Sequence, residues 1–273
     1  MDARLQKRVQ RYGWNRASDE YAYYWQVQLQ PVQTQLLEIA ALQPGERVLD
    51  VACGDGLVSF RAGEQVGADG QVVGDDISEH MVERADALRQ ERGVDNLRFK
   101  RRDGETPVEG DAAFDVALCA LGLMYMPDPI RAMTVTREAL RPGGRAVAAV
   151  WGQRSACGWA GVFPIVDARV ASDVCPMFFN LGTGDALETV LREAGFTQVA
   201  SERLSYPLHF DTPRQACGAA LVGGPVALAY ARFDEPTREE ARDEYLASIA
   251  PYRVNGHYEI PGEFVVTYGI APG

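Results

Sequence analysis

The sequence predicts an α/β fold, and two observations near its middle support this. The run Val48-Leu49-Asp50-Val51-Ala52 is short, mostly apolar and followed by glycines, which is typical of a strand buried on both faces. A second strand is indicated by the segment Gln71 to Ser78, which follows a helix-forming segment and carries two acidic residues, Asp75 and Asp76, towards its end. Strand, helix and strand in this order indicate a βαβ unit and a parallel sheet.

The turn after the first strand, Cys53-Gly54-Asp55-Gly56, is a candidate ligand-binding loop. Glycine has no Cβ and accepts positive φ, so the backbone can pass close to a ligand. Asp50 interrupts an apolar strand with a charge that is costly to bury, so we interpret it as a site residue rather than a core residue. Residues 57–65 are expected to begin a helix whose amino end points at the ligand.

The second strand ends in Asp75-Asp76, about twenty residues beyond the glycine turn. That spacing fits a carboxylate that binds the hydroxyls of a ribose. We assign this role to Asp76, because it is closer to the expected turn into the helix Ser78–Arg92, and keep Asp75 as the fallback. Turn, acid and βαβ context together predict a nucleotide-cofactor site.

The glycine pattern distinguishes between cofactors. A dinucleotide fingerprint requires G-x-G-x-x-G, but Ser59 stands at the third glycine position. The form D-x-x-x-G-x-G, from Asp50 to Gly56, instead resembles motif I of the Rossmann-like, class I S-adenosylmethionine-dependent methyltransferases. Their cofactor has no pyrophosphate, so a third glycine is not required.

Four further segments resemble the same family in the expected order. They are the third strand and its loop (97–105), the fourth strand (114–123), the L-x-P-G-G turn before the fifth strand (139–145) and the A-G-F turn before the sixth (191–196). The resemblance covers roughly residues 45–205. Within the family, the chain looks most similar to the small-molecule group typified by the ubiquinone and menaquinone biosynthesis methyltransferases.

This resemblance implies a three-layer Rossmann-like sandwich with a mostly parallel, seven-stranded sheet, whose last strand is antiparallel, and a helical cap. It also implies S-adenosylmethionine as the cofactor. The expected cofactor-binding residues are Asp50, Cys53, Gly54, Gly56, Asp76, Ile77, Met81, Arg102, Asp103, Gly104, Ala120, Leu121 and Tyr125. Asp103 is expected to contact the adenine amino group, while Ala120 and Leu121 lie near the sulfur.

Two segments outside this core are expected to form the acceptor pocket. Residues 1–40 are rich in aromatic side chains and are expected to form a helical lid, although fastening the helix to the sheet is an equally weighted role. Residues 209–260 are expected to be a helical cap inserted between the core, 41–208, and a final core strand, 261–273. The expected acceptor-binding residues are Tyr12, Tyr21, Trp25, Tyr125, Trp151 and His257.

Composition restricts the partners. The formal net charge of −11 argues against nucleic acid, because phosphate binding requires a basic surface. No run is apolar and long enough to span a bilayer, and the polar amino terminus is no signal peptide, so we expect a soluble cytoplasmic protein. Five scattered cysteines and three histidines form no metal-ligand spacing, so no metal is expected. The oligomeric state is open, with a homodimer among the alternatives.

The expected activity is methyl transfer to a small organic acceptor by in-line displacement, mainly through positioning in a capped cleft. No catalytic base is assigned, because none of the three histidines has a distinctive context. Two alternatives remain: a non-catalytic module that binds the cofactor or its product, and a less favoured NAD(P)-dependent oxidoreductase. The sequence does not identify the acceptor or the methylated atom.

Overall fold

The computed structural model describes residues 3–108, 113–170 and 178–273. Eight strands form one sheet in the order β3-β2-β1-β4-β5-β8-β6, with β7 paired to β8. The strands are β1 Arg47–Val51, β2 Gln71–Asp76, β3 Leu97–Arg101, β4 Phe114–Ala120, β5 Leu140–Trp151, β6 Thr197–Phe210, β7 Arg253–Val254 and β8 His257–Ile270. The helices are α1 Ala3–Ala40, α2 Leu57–Val66, α3 Glu79–Glu91, α4 Pro129–Ala139, α5 Val162–Asp167, α6 Ala186–Glu193, α7 Pro213–Cys217, α8 Ala227–Tyr230 and α9 Glu235–Ile249.

The sheet is parallel from β3 through β5. Strand β8 then runs antiparallel to both of its neighbours, β5 and β6. Helices α1, α2 and α3 pack together, and α4 packs with α6, so that helices surround the sheet. The predicted Rossmann-like α/β sandwich with an antiparallel last strand is therefore confirmed.

The sheet has one strand more than the seven expected. The additional strand, β7, is two residues long and pairs with the start of β8 across the turn Asn255-Gly256. Both turn residues have positive φ, 49° and 96°, which matches the tight hairpin turn that asparagine and glycine favour. A strand this short carries too little sequence pattern to be predicted.

The last strand is also longer than expected. It begins at His257, so the boundary placed between residues 260 and 261 falls inside β8. Pro261 obscures this strand in the sequence because proline lacks the amide hydrogen that a central strand needs. In the structure Pro261 lies opposite Pro207 of β6, and Tyr258 and Ile260 on the other face of the strand are buried.

Helix α1 is a single helix of 38 residues that contains Pro31. It packs on β5 and β8 of the sheet, on α2 and α3, and on α8 of the segment between β6 and β8. Helix α9 of that same segment packs on α5, which follows β5. In the part of the chain that the structure describes, no helix combines the length and the apolar character needed to cross a membrane.

Candidate cofactor and acceptor site

A cavity opens where the central strands end. Asp50 of β1, Asp76 at the end of β2 and Ala120 at the end of β4 all line it. The carboxyl ends of parallel strands meet at one edge of a sheet, and ligands of open α/β sheets bind in the crevice outside that edge. The first half of α1 contributes Lys7, Trp14 and other residues to the wall.

The glycine turn shapes one side of this cavity. Gly54 has a φ of 57°, and a Cβ built there meets nothing within 4 Å. Gly56 has a φ of 90°, and a Cβ there would lie 2.9 Å from a ring carbon of Phe60. Gly54 lines the cavity, whereas Gly56 is absent from the wall that the structure describes. The two glycines therefore serve different purposes: Gly54 leaves room for a ligand, and Gly56 allows the turn to pack on the core.

Asp76 is held rigidly by the backbone around it. One carboxylate oxygen accepts the N–H of Gly54 at 3.0 Å, and the other accepts the N–H of Ser78 at 2.8 Å. A carboxylate has about four lone-pair positions, so each oxygen of Asp76 keeps one for a further donor. Burial raises the pKa of Asp76 to about 6, although the N–H groups of Ser78 and Gly54 act in the opposite direction.

Asp75 has a different environment. It is 1% exposed and forms an ion pair with Arg102, whose Nε lies 2.8 Å from its carboxylate. Arg102 also donates to the carbonyl oxygens of Asp103 and Thr106, which ties this ion pair to the loop after β3. Arg102 reaches the cavity wall, but Asp75 is not among the described residues that line it. The arrangement favours Asp76 over Asp75 for the ribose.

Two more carboxylates of the wall are almost completely buried. Asp50 accepts the hydroxyl of Ser59 at 2.5 Å, and burial raises its pKa to about 7. Asp55 is 2% exposed, and neither of its oxygens has a hydrogen-bond partner among the described residues. Its nearest cation is Arg84, with Nε at 3.8 Å, and burial raises the pKa of Asp55 as well. Asp55 is not among the site residues expected from the sequence.

Lys7 closes the cavity at the loop after β3. Its ammonium lies 2.7 Å from Asp103 and 2.6 Å from Glu105. Burial lowers the pKa of Lys7, but the hydrogen bonds to these two acids outweigh it and the pKa is raised overall. The amino end of α1 is thus fastened directly to the residue expected to contact adenine.

An aromatic pocket adjoins the acidic cavity. Trp14, Tyr21, Leu121 and Tyr125 line both spaces, so the two adjoin at these side chains. The ring of Trp14 makes edge contacts with Tyr21 and Tyr125, at centroid distances of 5.5 and 5.1 Å. The second space is also lined by Trp25, Leu29, Met124, Trp151, Trp159, Gly224 and Pro225. A cavity with several carboxylates in its wall therefore adjoins an apolar, aromatic pocket.

The structure brings most of the predicted residues together. Every expected cofactor residue except Gly56 lines the cavity, and of the expected acceptor residues Tyr21 and Tyr125 line it while Trp25 and Trp151 line the aromatic pocket. Tyr12 lies elsewhere: it is 50% exposed in a surface groove beside the guanidinium of Arg11. His257 lies next to Glu259 at the start of β8 and lines neither space in the described chain. Tyr12 and His257 therefore stand outside both spaces in the described chain.

Sequence reasoning missed Lys7, Asp55 and Trp159 as wall residues. The position of Asp55 between two turn glycines could have indicated a wall residue, because carboxylates are rarely buried without a partner. No local sequence pattern indicated Lys7 as a wall residue, because its position depends on the exact length and direction of α1.

The charges of the wall favour a cationic ligand. Of the described residues, five carboxylates and two cations line the cavity. A sulfonium together with an ammonium suits this field, whereas the pyrophosphate of a dinucleotide would meet the carboxylates of Asp50, Asp55 and Asp76. The residues present therefore fit S-adenosylmethionine.

Comparison with known proteins agrees with this geometry. A family model described as "Methyltransferase domain" matches residues 42–169. Nocamycin O-methyltransferase of Saccharothrix syringae is 34% identical over 208 residues, which cover 71% of this chain and 72% of that protein. The ubiquinone/menaquinone biosynthesis C-methyltransferase of Idiomarina loihiensis is 33% identical over 112 residues, 41% of this chain and 45% of that protein. The chain spans about half or less of the length of seven other curated methyltransferases that it matches.

A solved structure shows the same fold with a cofactor. Phosphoethanolamine N-methyltransferase 2 of Haemonchus contortus, in complex with S-adenosyl-L-methionine, superposes with a TM-score of 0.60. The match covers 95% of this chain and 57% of that one at 15% sequence identity. At this identity the likeness concerns the fold alone.

Proposed function

The chain belongs to the S-adenosylmethionine-dependent methyltransferases, and on this premise we propose that it transfers a methyl group to a small, apolar organic acceptor by in-line displacement. The observation that carries the proposal is that the two spaces share part of their wall. An acidic cavity suited to the cofactor shares Trp14, Tyr21, Leu121 and Tyr125 with an aromatic pocket suited to an acceptor. The shared residues mark the place where sulfonium and acceptor would meet.

The proposed cofactor contacts follow from the wall. Asp76 accepts from the two ribose hydroxyls with its free lone pairs, and Asp103 accepts from the adenine amine. Gly54 lets the backbone approach the amino acid part, whose ammonium faces Asp50 and Asp55. The remaining wall residues, Cys53, Ile77, Met81, Arg102, Gly104, Ala120, Leu121 and Tyr125, complete the enclosure.

The bound cofactor supplies an already activated methyl group, so the protein has to align the acceptor and exclude water. The rings of Trp14, Tyr21 and Tyr125 suit both tasks, because aromatic faces attract a sulfonium and stack on a flat acceptor. Burial, with the charges of Asp55 and Asp76, raises the pKa of Tyr21, so its hydroxyl remains protonated and can donate to an acceptor oxygen. We assign no catalytic base.

We propose α1 as the lid and the segment between β6 and β8 as the cap of this chamber. Support comes from Lys7 and Trp14 in the wall and from Gly224 and Pro225 of the segment in the aromatic pocket. An oxygen acceptor is proposed first, because a relative that matches 71% of this chain is named an O-methyltransferase. We further propose a small molecule rather than a nucleic acid as acceptor and a cytoplasmic location; a homodimer is left for measurement.

The first experiment is calorimetric titration with S-adenosylmethionine, S-adenosylhomocysteine and NADH in one buffer. Micromolar binding of the first two alone is expected, and binding of NADH alone would refute the proposal. A second experiment measures transfer of a labelled methyl group to a panel of quinols, phenolic polyketides, amines and thiols. Tight cofactor binding without transfer to any member would favour the alternative of a non-catalytic binding module.

A further inference from the structure

Two of the three histidines of the chain come together outside the cavity. His209 of β6 lies directly opposite Glu259 of β8 in the strand register. His257 is two residues before Glu259 on the same strand, and side chains two apart point to the same face. One ligand atom from each of the three residues lies within 4.8 Å of the others, and His257 Nε2 is 3.1 Å from Glu259 Oε1.

The backbone beneath this cluster is held in place. The amide group of Gln28 on α1 accepts from the N–H of His209 at 2.7 Å and donates to the carbonyl oxygen of His209 at 2.5 Å. On β8, the tight turn Asn255-Gly256 fixes the residue that follows it, His257. The opposite face of this two-stranded ribbon is buried through Leu208, Phe210, Tyr258 and Ile260. Metal sites on rigid elements need little reorganisation when the ion binds.

We propose that His209, His257 and Glu259 form a binding site for one borderline divalent metal ion of the Zn²⁺ class. Two imidazoles and one carboxylate are the donor set that such ions accept, whereas Mg²⁺ and Ca²⁺ prefer oxygen ligands. Tetrahedral Zn²⁺ with bonds of about 2.0–2.1 Å places its ligand atoms about 3.3 Å apart. His257 Nε2 and Glu259 Oε1 are already close to that spacing at 3.1 Å, and the ligand atom of His209 lies within 4.8 Å of both residues' ligand atoms. Solvent would supply the fourth ligand.

This proposal does not rest on the proposed methyl transfer, because none of the three residues lines the cavity or the aromatic pocket of the described chain. A bound ion would tie the ends of β6 and β8 together. It would therefore favour the folded chain over the unfolded one, in which His209 is well separated along the chain from His257 and Glu259.

The test is calorimetric titration of the full chain, freed of metal with EDTA, with Zn²⁺ and with Mg²⁺. One Zn²⁺ per chain is expected to bind and to raise the melting temperature, with no effect of Mg²⁺. His209→Ala, His257→Ala and Glu259→Gln should each weaken Zn²⁺ binding at least tenfold. Their melting temperatures in EDTA should match the wild type, because the three side chains lie on the outer face of the ribbon.

Two variants serve as controls. His80→Ala removes the third histidine, which lies on α3 with Nδ1 3.3 Å from the carbonyl oxygen of Asn15. The four described cysteines are all buried, and Cys175 lies outside the described residues. Cys175→Ser therefore tests whether this remaining thiol contributes to Zn²⁺ binding. Both should bind Zn²⁺ like the wild type. Absence of Zn²⁺ binding by the wild type, or equal binding by the three ligand variants, would overturn the proposal.

Discussion

Replacing Asp76 by asparagine tests the ribose contact most directly. The carboxylate uses one lone pair on each oxygen for the N–H groups of Gly54 and Ser78, which leaves two for the ribose hydroxyls. Asparagine has a single acceptor oxygen, and its NH2 group must face one of those two backbone donors. The variant therefore loses at least one charge-assisted hydrogen bond to the ribose, worth about 1.5–3 kcal/mol.

That loss corresponds to a Kd for S-adenosylhomocysteine raised roughly 10- to 100-fold, at about 1.4 kcal/mol for each factor of ten. Calorimetry with this product avoids turnover, and a parallel melting curve reports whether the turn is intact. The matched control is Asp69→Asn, which makes the same chemical change at an exposed position. A Kd within twofold of the wild type, in a variant that melts normally, would show that Asp76 does not hold the ribose.

Three further predictions concern other parts of the site. Burial raises the pKa of Asp50 to about 7 from an ordinary 3.8. Between these two pH values the folded chain binds more protons than the unfolded chain. The free energy of unfolding without cofactor should therefore fall as the pH rises from 4 to 8. Asp50→Asn should flatten this dependence in melting curves, and an unchanged slope would contradict the burial argument. Gly56→Ala should lower the free energy of unfolding by at least about 1 kcal/mol more than Gly54→Ala, because only residue 56 adds a clash with Phe60 to the strain of positive φ. Gly54→Ala should instead weaken binding of S-adenosylhomocysteine more strongly, and equal effects of the two changes on both measurements would refute this division. Trp14→Ala should raise the acceptor KM at least tenfold with a smaller change in cofactor affinity, whereas Tyr23→Ala, at a position 72% exposed on the same helix, should change neither.

The strand ends could be predicted from the sequence because their signals are local. Asp50 and Asp76 lie in short strand segments that contain valine, and Asp103 follows the segment Leu97–Arg101. Parallel strands bring their carboxyl ends to one edge whatever the details of packing. The additional strand and the early start of β8 could not be predicted in this way, since two residues show no period and Pro261 argues against a strand.

Contacts across long distances in the chain were harder to predict. Lys7 reaches Asp103 only because α1 continues unbroken for 38 residues, and no local pattern specifies where its first turns lie. The expectation that His257 faces the acceptor rests on its place beside the segment between β6 and β8, which does not determine the face of the sheet that the side chain takes. In the observed register His257 lies on the face opposite to the buried Tyr258 and Ile260.

Helix α1 has two structural roles along its length. After Pro31 it carries a dense set of buried residues, Val32, Gln33, Leu36, Leu37 and Ala40, of which Gln33 also reaches the cavity wall. Before Pro31, Lys7 and Trp14 are partly exposed and line the cavity. Pro31 lacks an amide hydrogen, so one hydrogen bond of the helix is missing between the two parts. A single helix therefore both anchors the fold and forms part of the chamber wall, and exchanges at Lys7 and Trp14 would alter that wall at positions outside the buried core.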